Sequence, residues 1–516
     1  MADRFYICTA IDYTNSAPHI GHAYEKVLAD VLARYHRLND EQVFYLTGVD
    51  QHGQKVQQSA EKQGVAPEQF VADVTQKFVA LWDKLDVRYD GWAATVELRH
   101  KQGVQALLQR LFDEGKLYKA TQGGHYSVRQ EQFLTDKERG PDGEFGPEWG
   151  EVEYREEENY YFRLAEHRDW LLALIDSRPD LIAPDFRRAE LRNAVEKIAG
   201  DLCISRPKSR LSWGIELPFD HEFVTYVWFD ALLNYITFAP GPYDPAAGAS
   251  NAEFHRWWPA VIVIGKDIMV PAHGIYWMIM LHAIGFSDAD MPRLIVHGLW
   301  NISGEKMIKS LGNVVDPDAL SQKYGNEALR YYLMSDIATG RDADFSEERL
   351  IGRYNGDLAN SLGNLLNRSL NMAHRYREGV VRPVGGESPL RGQADDAVAR
   401  YVQQMDGGQV HAALGAIVDF ATACNTYIEM TAPWKLAKDA QRAETLDHVL
   451  YALAESLRII AILVAPVLPK ASQEILTQLN WNQAVRLAGA VWGGLPDGHR
   501  LGKPSPVFPR IETDAA

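Results

Sequence analysis

Two histidines and a glycine stand together near the start of the chain, where the sequence predicts that a helix begins. In the segment APHIGHAYEKVLAD, His19 and His22 flank Ile20 and Gly21. Free N–H groups at a helix N-terminus attract anions, and a glycine lets a nucleotide approach the backbone. Imidazole nitrogens can donate to phosphate oxygens. These residue types therefore indicate a phosphate site at this helix start.

Taken alone, the histidine segment has other interpretations. A zinc ion held by His19 and His22 would need further ligands, and no cysteine is near in the sequence. Two structural histidines explain the segment as well as a functional pair does. The glycine-rich motifs GxxxxGK[ST] and GxGxxG do not occur in the chain, so this helix start is the best candidate for an ATP site.

A second segment supplies positive charge. In NISGEKMIKSLGN, Lys306 and Lys309 lie between two glycines, and Ser310 follows directly. A loop of this kind can bring two ammonium groups onto a polyphosphate. A basic loop by itself is more often an ordinary exposed turn. Its combination with the histidine segment in one chain is what makes the pattern specific.

The surrounding sequence predicts the elements that position these residues. The apolar runs RFYICTAI and QVFYLTGVD, the latter covering Gln42–Asp50, enclose a helix predicted to end near Leu38. The order strand, helix, strand implies a right-handed parallel crossover. Gly, Asp, Glu and aromatic residues alternate over 118–162 and predict hairpins of an inserted module. From Leu350 to about Leu479 the pattern is almost wholly helical.

Composition restricts the class of protein. A chain of 516 residues predicts two to four domains. The net charge of -16 argues against nonspecific coating of nucleic acid, although it permits a local RNA-binding groove. Three scattered cysteines exclude a disulfide framework and favour a reducing compartment. With no secretory signal and no apolar run long enough to span a bilayer, we expect a cytoplasmic protein without membrane contact.

One segment of the helical region carries amides and guanidiniums on one side. At about 100° per residue, leucines and Ala373 cover one face of LANSLGNLLNRSLNMAHRYRE, whereas the opposite face carries Asn360, Asn364, Asn367, Arg368, Asn371 and Arg375. Asparagine is a poor helix former, and a solvated face would favour Glu and Lys. The stripe suits hydrogen bonding to RNA. Polar contacts with a neighbouring domain are the alternative.

The two charged segments resemble known signatures. His19-Ile20-Gly21-His22 is the HIGH motif, and KMIKS resembles the KMSKS loop of class I aminoacyl-tRNA synthetases. Six longer blocks narrow the resemblance to the methionyl-tRNA synthetase family: AIDYTNSAPHIGHAY, LTGVDQHGQK, YVWFDALLNY, VHGLWNISGEKMIKS, NSLGNLLNR and NTYIEMTAPWKL. Their order and spacing, from about residue 5 to residue 480, carry the resemblance.

The resemblance implies an α/β fold with a Rossmann-type parallel sheet, a mixed α/β connective insertion and an all-α helical bundle that binds the anticodon. The expected limits are 1–117 and 218–300 for the two halves of the catalytic domain, 118–217 for the insertion, 301–350 for the KMSKS-type loop and stem-contact region, and 351–516 for the anticodon-binding domain. The implied substrates are methionine, ATP with Mg²⁺ and tRNA(Met).

Site residues carry over by position in this sequence. His19, His22, Lys306, Lys309 and Arg206 match catalytic positions, and ATP would contact His19, Gly21, His22, Lys306, Lys309 and Ser310. Methionine would contact Ala10, Ile11, Tyr13, Asp50, Trp228, Ala231, Leu232, Tyr235 and His297. Asp50 matches the carboxylate that holds the substrate ammonium group, and aromatic rings suit a thioether. Asn364, Arg368 and Trp434 match anticodon-reading positions.

Three features depart from the family pattern. The inserted module lacks the CxxC knuckles of many relatives, so we expect no structural zinc and treat His125 as structural. Ile308 stands where the loop motif usually has Ser. The appended module that dimerises some relatives is missing, so we expect a monomer.

Other functions fit the sequence less well. Isoleucyl, valyl and leucyl enzymes carry an editing insertion longer than 118–217, and a cysteinyl enzyme needs cysteine zinc ligands. A tRNA-independent adenylyltransferase leaves the Asn/Arg helix unexplained. A non-catalytic tRNA-binding protein leaves the intact motif residues unexplained.

Overall fold

Strand β1 (Arg4–Thr9) and the helix that follows it place the histidine segment at the carboxyl edge of a parallel sheet. The computed structural model describes residues 4–127, 132–134, 138–140, 142–244, 252–302, 304–307, 314–383 and 388–512. The first part of the chain contains β1, β2 (Asp12–Tyr13), α1 (Ile20–Leu38), β3 (Gln42–Asp50), α2 (Gln54–Gln63), α3 (Pro67–Lys84), β4 (Gly91–Ala94) and α4 (Leu98–Asp113). The predicted helix end at Leu38 and the predicted strand at Gln42–Asp50 are confirmed.

The second part of the chain is dominated by strands. It contains β5 (Leu117–Ser127), β6 (Gln132–Leu134), β7 (Val152–Phe162), α5 (Arg168–Ser177), β8 (Ile182–Ala183), α6 (Phe186–Val195), β9 (Leu202–Cys203), β10 (Ser205–Pro207), β11 (Glu216–Leu217) and β12 (Asp220–Thr225). β5 and β7 pair antiparallel along their whole length, from Leu117 opposite Phe162 to Ser127 opposite Val152. The hairpins predicted for this region are therefore present.

Alternating helices and strands return after residue 226. This part contains α7 (Val227–Leu232), α8 (Asn234–Thr237), α9 (Ala252–Trp257), β13 (Val261–Gly265), α10 (Lys266–Ile268), a π-helical segment (Met269–Trp277), α11 (Met278–Ala283), β14 (Arg293–His297), β15 (Trp300–Ile302), β16 (Glu305–Lys306), α12 (Pro317–Tyr324), α13 (Asn326–Asp336) and β17 (Ala343–Asp344).

The main sheet has seven parallel strands in the order β2-β3-β1-β13-β14-β8, with β4 also pairing with β3. The α/β prediction with a Rossmann-type parallel sheet is confirmed. One strand was not foreseen: β8 lies within 118–217, yet Ile182 and Ala183 pair with Leu294 and Ile295 of β14. Part of the predicted insertion thus belongs to the central sheet.

The last part of the chain is helical, as predicted. It contains α14 (Glu347–Arg353), a π-helical segment (Tyr354–Gly363), α15 (Asn364–Arg377), β18 (Val380–Val381), α16 (Pro389–Asp406), α17 (Val410–Thr431), α18 (Pro433–Leu436), α19 (Ala443–Val464), α20 (Pro469–Gln478) and β19 (His499–Arg500). The expected helical domain is confirmed in its fold, and its exact limits stay a prediction. None of the helices in the described ranges has the length and apolarity needed to cross a membrane.

A buried arginine joins the sheet region to the helical region. Arg330 of α13 is fully buried, and each of its five N–H groups has an acceptor. Nη2 donates to Asp30 Oδ2 of α1 at 2.7 Å and to the Pro466 carbonyl at 3.1 Å. Nε donates to the Val467 carbonyl, and Nη1 donates to the carbonyls of Leu85 and Asp86. Helix α1 and the residues that directly follow α19 are therefore bonded to the same side chain.

Candidate active site

A cavity of about 510 Å³ opens at the carboxyl ends of the parallel strands. This edge is where open α/β sheets bind their ligands. The cavity wall includes all nine residues predicted to contact methionine: Ala10, Ile11, Tyr13, Asp50, Trp228, Ala231, Leu232, Tyr235 and His297. His19, Gly21 and His22 belong to the same wall. The structure thus brings together residues that lie up to 287 positions apart in the sequence.

The two motif histidines form the N-terminal cap of α1. His19 Nδ1 accepts a hydrogen bond from the Gly21 N–H at 3.0 Å, and His22 Nδ1 accepts one from the His19 N–H at 3.1 Å. The rings lie against each other, with centroids 3.9 Å apart. Because both Nδ1 atoms accept, each neutral ring carries its proton on Nε2. The cap therefore fixes two Nε2–H donors at the edge of the cavity.

The expectation of free backbone N–H groups at this helix start is wrong for its first residues. The Ile20 N–H donates to the Val315 carbonyl at 3.2 Å, and the Gly21 N–H donates to His19. The structure adds a steric reason for Gly21, since a Cβ there would lie 2.8 Å from His19 Cε1, and the predicted approach of a nucleotide stays a prediction. The glycine leaves room for the capping ring. Imidazole N–H groups rather than backbone N–H groups are thus the donors that the motif offers.

The lysine segment reaches the same cavity. β16 includes Lys306 and pairs with β15, and the next residue, Met307, lines the cavity. Lys309 and Ser310 lie outside the described residues, as does Ile308. The structure therefore places the start of the predicted loop beside the histidine helix.

The part of the cavity wall predicted to contact the methionine side chain contains a hydrogen-bonded pair, Tyr235 and His273, that the sequence did not reveal. Tyr235 donates its hydroxyl proton to His273 Nε2 at 2.8 Å, and His273 Nδ1 donates to the Ile268 carbonyl at 2.9 Å. Burial lowers the pKa of His273 to about 4, so the ring is neutral at pH 7 and can accept. His273 lies in the apolar stretch MVPAHGIYW, and its only signal was a lone polar residue there.

A buried ionic network also contributes to the cavity wall, through Asp12, Glu25 and His297. Lys26 donates all three of its N–H groups, to the Ala10 carbonyl, Asp12 Oδ1 and Glu25 Oε1 at 2.8, 2.6 and 2.8 Å. Glu25 Oε2 lies 3.1 Å from His297 Nε2. Burial raises the pKa of Asp12 to about 7 despite the adjacent ammonium group. Burial would also raise the Glu25 pKa, but Lys26 and His297 outweigh it and lower the value.

These acidic groups were missed because they are not part of a spaced motif. Asp12 and Glu25 line the cavity together with Lys55, Asn234 and Asp267. Helical spacing also gives no signal for the burial of Lys26, because it falls on the side of α1 that carries Asp30 and Arg37.

Arg206 lies behind the cavity wall rather than in it. It is buried on β10, where Nη1 donates to the Ser205 carbonyl at 2.7 Å. Its guanidinium carbon lies 4.5 Å from the ring centroid of Tyr226, which does line the cavity. Arg206 therefore contacts the cavity wall through the Tyr226 ring.

The predicted RNA face of the helical region is exposed. Asn360, Asn364, Asn367, Asn371 and Arg375 are open to solvent, whereas Leu358, Leu362, Leu365, Leu366, Leu370 and Ala373 are buried. Arg368 Nη2 donates to Glu429 Oε1 of α17 at 2.6 Å. Trp434 is half-buried in α18, which follows α17 after Ala432. Arg368 therefore contacts α17, the helix that directly precedes the α18 helix of Trp434.

The inserted hairpin is packed by aromatic rings. His125 lies between Phe145 and Tyr154, with ring centroids 5.2 and 5.6 Å away. Within the described ranges, no group of three or more His, Cys, Asp and Glu side chains is arranged to hold a metal ion.

Two known families match nearly the whole chain. The model of class I tRNA synthetases (M) matches residues 5–142 and 149–370, and the anticodon-binding domain of methionyl tRNA ligase matches residues 382–516. The chain belongs to the methionyl-tRNA synthetase family. The two matches leave few residues of the chain uncovered.

Individual relatives agree with the family match. The chain is 40% identical to the methionine–tRNA ligase of Deinococcus radiodurans over 99% of its own length and 75% of that protein. It is 39% identical to the ligase of Nostoc sp. over 98% of its own length and 97% of that protein. The Mycobacterium tuberculosis methionyl-tRNA synthetase in complex with methionyl-adenylate superimposes with a TM-score of 0.91 at 37% identity, covering 98% and 100% of the two chains.

Proposed function

We infer that the chain activates methionine with ATP and transfers the methionyl group to tRNA(Met). The observation that carries this inference is that the predicted methionine residues and the capped histidine pair line one and the same cavity. The methionine carboxylate attacks the α-phosphorus of ATP and expels pyrophosphate. The 2′-hydroxyl of the terminal adenosine then takes the acyl group and releases AMP.

Catalysis in this cavity rests on positioning and on stabilisation of developing charge. We propose that Asp50 holds the methionine ammonium group, and that Tyr13, Trp228 and Tyr235 enclose the side chain. The Nε2–H groups of His19 and His22 donate to the phosphate oxygens in the transition state. Mg²⁺ enters with ATP, bound to phosphate oxygens, for which it is a suitable hard cation.

The remaining predicted residues receive roles on the same basis. Lys306, Lys309 and Ser310 hold the pyrophosphate, and Arg206 supports the cavity through Tyr226. Ala10, Ile11, Ala231, Leu232 and His297 complete the methionine site, to which we add His273 because it holds the Tyr235 hydroxyl.

Methionine-dependent exchange of pyrophosphate into ATP tests the activation step. We expect exchange with methionine and none without it. No exchange in the presence of Mg²⁺ would refute activation, and exchange driven by isoleucine or cysteine would refute the choice of amino acid.

The helical surface supports a separate role in anticodon binding by Asn364, Arg368 and Trp434. A half-exposed tryptophan offers a face on which an unstacked base can bind. Trp434→Ala should therefore slow tRNA charging by about 5- to 150-fold, which corresponds to about 1–3 kcal/mol of stacking, while pyrophosphate exchange stays unchanged. Equal losses in both reactions would contradict the separation of roles.

We further propose that the chain acts as a monomer in the cytoplasm. Cys8, Cys203 and Cys424 are all free thiols, which suits a reducing compartment. Sedimentation velocity over a concentration series tests the monomer, and a second, concentration-dependent species would refute it.

A further inference from the structure

A buried carboxylate links the two ends of the amino-acid site. Asp230 lies on α7, the helix that also carries Trp228, Ala231 and Leu232 of the cavity wall. Asp230 Oδ2 lies 2.6 Å from His52 Nδ1, and Oδ1 lies 2.8 Å from His100 Nε2. All three side chains are almost inaccessible to solvent, and none of them lines the cavity.

The network reaches three of the elements that line the proposed methionine site: the end of β3, α7 and α8. His52 lies two residues after Asp50, which ends β3. One end of the network is therefore fixed beside the carboxylate that we propose binds the methionine ammonium group. His100 of α4 also bonds Thr237 Oγ1 of α8 through Nδ1, at 2.7 Å. α8 carries Asn234 and Tyr235 of the cavity wall. Asp230 and the two histidines thus connect the ammonium end of the cavity to both helices of its side-chain end.

Packing alone does not account for this arrangement. A buried carboxylate between two imidazoles must be desolvated, and apolar side chains of similar volume often stabilise a core at least as well. Hydrogen bonds differ from apolar contacts in being directional, with preferred distances and angles. Burial would raise the Asp230 pKa, but the two histidines outweigh it and lower the value to about 2, so the carboxylate stays ionised.

We propose that Asp230, held between His52 and His100, is a positioning residue that sets the distance between the ammonium site at Asp50 and the side-chain wall on α7 and α8. It thereby selects the length of the amino-acid side chain. The proposal rests on the proposed function of the cavity. It adds a specificity-determining group that touches no substrate.

Asp230→Asn tests the proposal. The carboxylate offers an acceptor oxygen to each histidine, whereas the amide offers one oxygen and one NH₂ group, so one histidine N–H loses its acceptor. We expect the Kd of methionine, measured by calorimetry without ATP, to rise at least tenfold, and the Kd of ATP to change less than twofold. The preference in kcat/KM for methionine over ethionine, which has one more methylene, should fall at least fivefold in the exchange reaction.

A second pair of variants covers the case in which Asp230→Asn does not fold. His52→Asn keeps a donor near the Nδ1 position, whereas His52→Leu has none. We expect methionine affinity close to wild type in the first variant and a loss of at least tenfold in the second. Equal methionine affinity in the two variants would overturn the proposal.

Glu455→Gln is the matched control, because it also neutralises a buried carboxylate but lies in α19, outside the cavity wall. Glu455 is fully buried against Arg458 in α19 and also accepts from the N–H groups of Gly493 and Gly494. This variant should lower the thermal midpoint without changing methionine affinity. If Asp230→Asn changes methionine and ATP binding equally, or leaves both unchanged as Glu455→Gln does, Asp230 is only structural and the proposal fails. The wild-type exchange reaction, tested separately, decides the proposed function.

Discussion

At the scale of single residues, the HIGH motif does two things with each imidazole. Nδ1 of His19 and of His22 accepts a hydrogen bond in the cap, so that each neutral ring carries its proton on Nε2 and can donate from there. Serine or aspartate could cap the helix equally well but would place no donor on the far side of the ring. The choice of histidine is therefore explained by the atom that the cap does not use.

Two isosteric substitutions separate the two nitrogens of His22. Asparagine places a polar atom where Nδ1 lies, and glutamine places one where Nε2 lies. His22→Asn should keep the thermal midpoint and lower exchange by about 10²–10³-fold, the cost of losing one transition-state donor. His22→Gln should keep more activity and lower the midpoint. The reverse order of the two activities would contradict the assignment.

His273 predicts a specific pH dependence of stability. Its pKa is about 4 in the folded chain because of burial, below the usual 6.5. In the unfolded chain, the His273 side chain therefore becomes protonated below about pH 6.5. In the folded chain, it becomes protonated only near pH 4. Stability falls as the pH drops through this window, by up to about 1.4 kcal/mol per pH unit from this group.

Thermal unfolding from pH 7.5 to pH 4 measures this contribution. His273→Gln cannot titrate, so its midpoint should fall less steeply with decreasing pH than that of the wild type. Parallel curves for the two proteins would show that His273 is not held neutral by burial.

At the scale of elements, the close approach of β3 and β4 depends on one glycine. A Cβ on Gly48 would lie 2.0 Å from the Ala93 carbonyl oxygen, so the strands would have to separate. Gly48→Ala should lower the thermal midpoint by several degrees, as overpacking typically costs about 1–3 kcal/mol. Gly352→Ala is the control, because Gly352 lies in α14 with no atom within 4 Å of the added Cβ. That change should leave the midpoint unchanged or raise it.

Elements with a strong periodic pattern were predictable from the sequence, and short pairings were not. The first crossover and the Asn/Arg helix follow from apolar spacing over ten or more residues. β8 has two residues and no period, and only its partner β14 makes it a strand. Tertiary pairing decides such segments.

The candidate site divides in the same way. The cavity is lined by the nine residues predicted to contact methionine and by His19, Gly21 and His22, whereas Arg206 is outside its wall and Lys309 and Ser310 lie outside the described residues. His273, Asp12 and the His52–Asp230–His100 network were not found, because their roles depend on contacts between residues far apart in sequence. A lone buried polar residue in an apolar stretch is a weak signal, since most such residues are structural.

At the scale of the whole molecule, Arg330 fixes the helical region to the sheet region. Replacing it by methionine would remove one of the two guanidinium partners of the buried Asp30 carboxylate, leaving Arg34, and would remove the Arg330 donors from the carbonyls of Leu85, Pro466 and Val467. Loss of one partner of a buried pair typically costs about 3–5 kcal/mol. Arg330→Met should therefore lower the midpoint of unfolding strongly, as measured by calorimetry.

The double variant Asp30→Leu with Arg330→Met removes both buried charges. It should recover part of the lost stability, because the uncompensated carboxylate is gone. If the double variant lost more unfolding free energy than the two single variants lose together, this account of the junction would be contradicted.

The pairing of β8 with β14 has a consequence for how this chain can vary in length. The region between β5 and β12 is tied to the central sheet near its middle as well as at its two ends. Added or deleted residues near position 182 would shift the register of a strand in the central sheet, whereas the far end of the β5–β7 pairing, at Ser127 and Val152, belongs to a separate sheet. Natural and engineered changes of length should therefore accumulate at that hairpin end, which makes it the suitable place to graft a label or an extra domain.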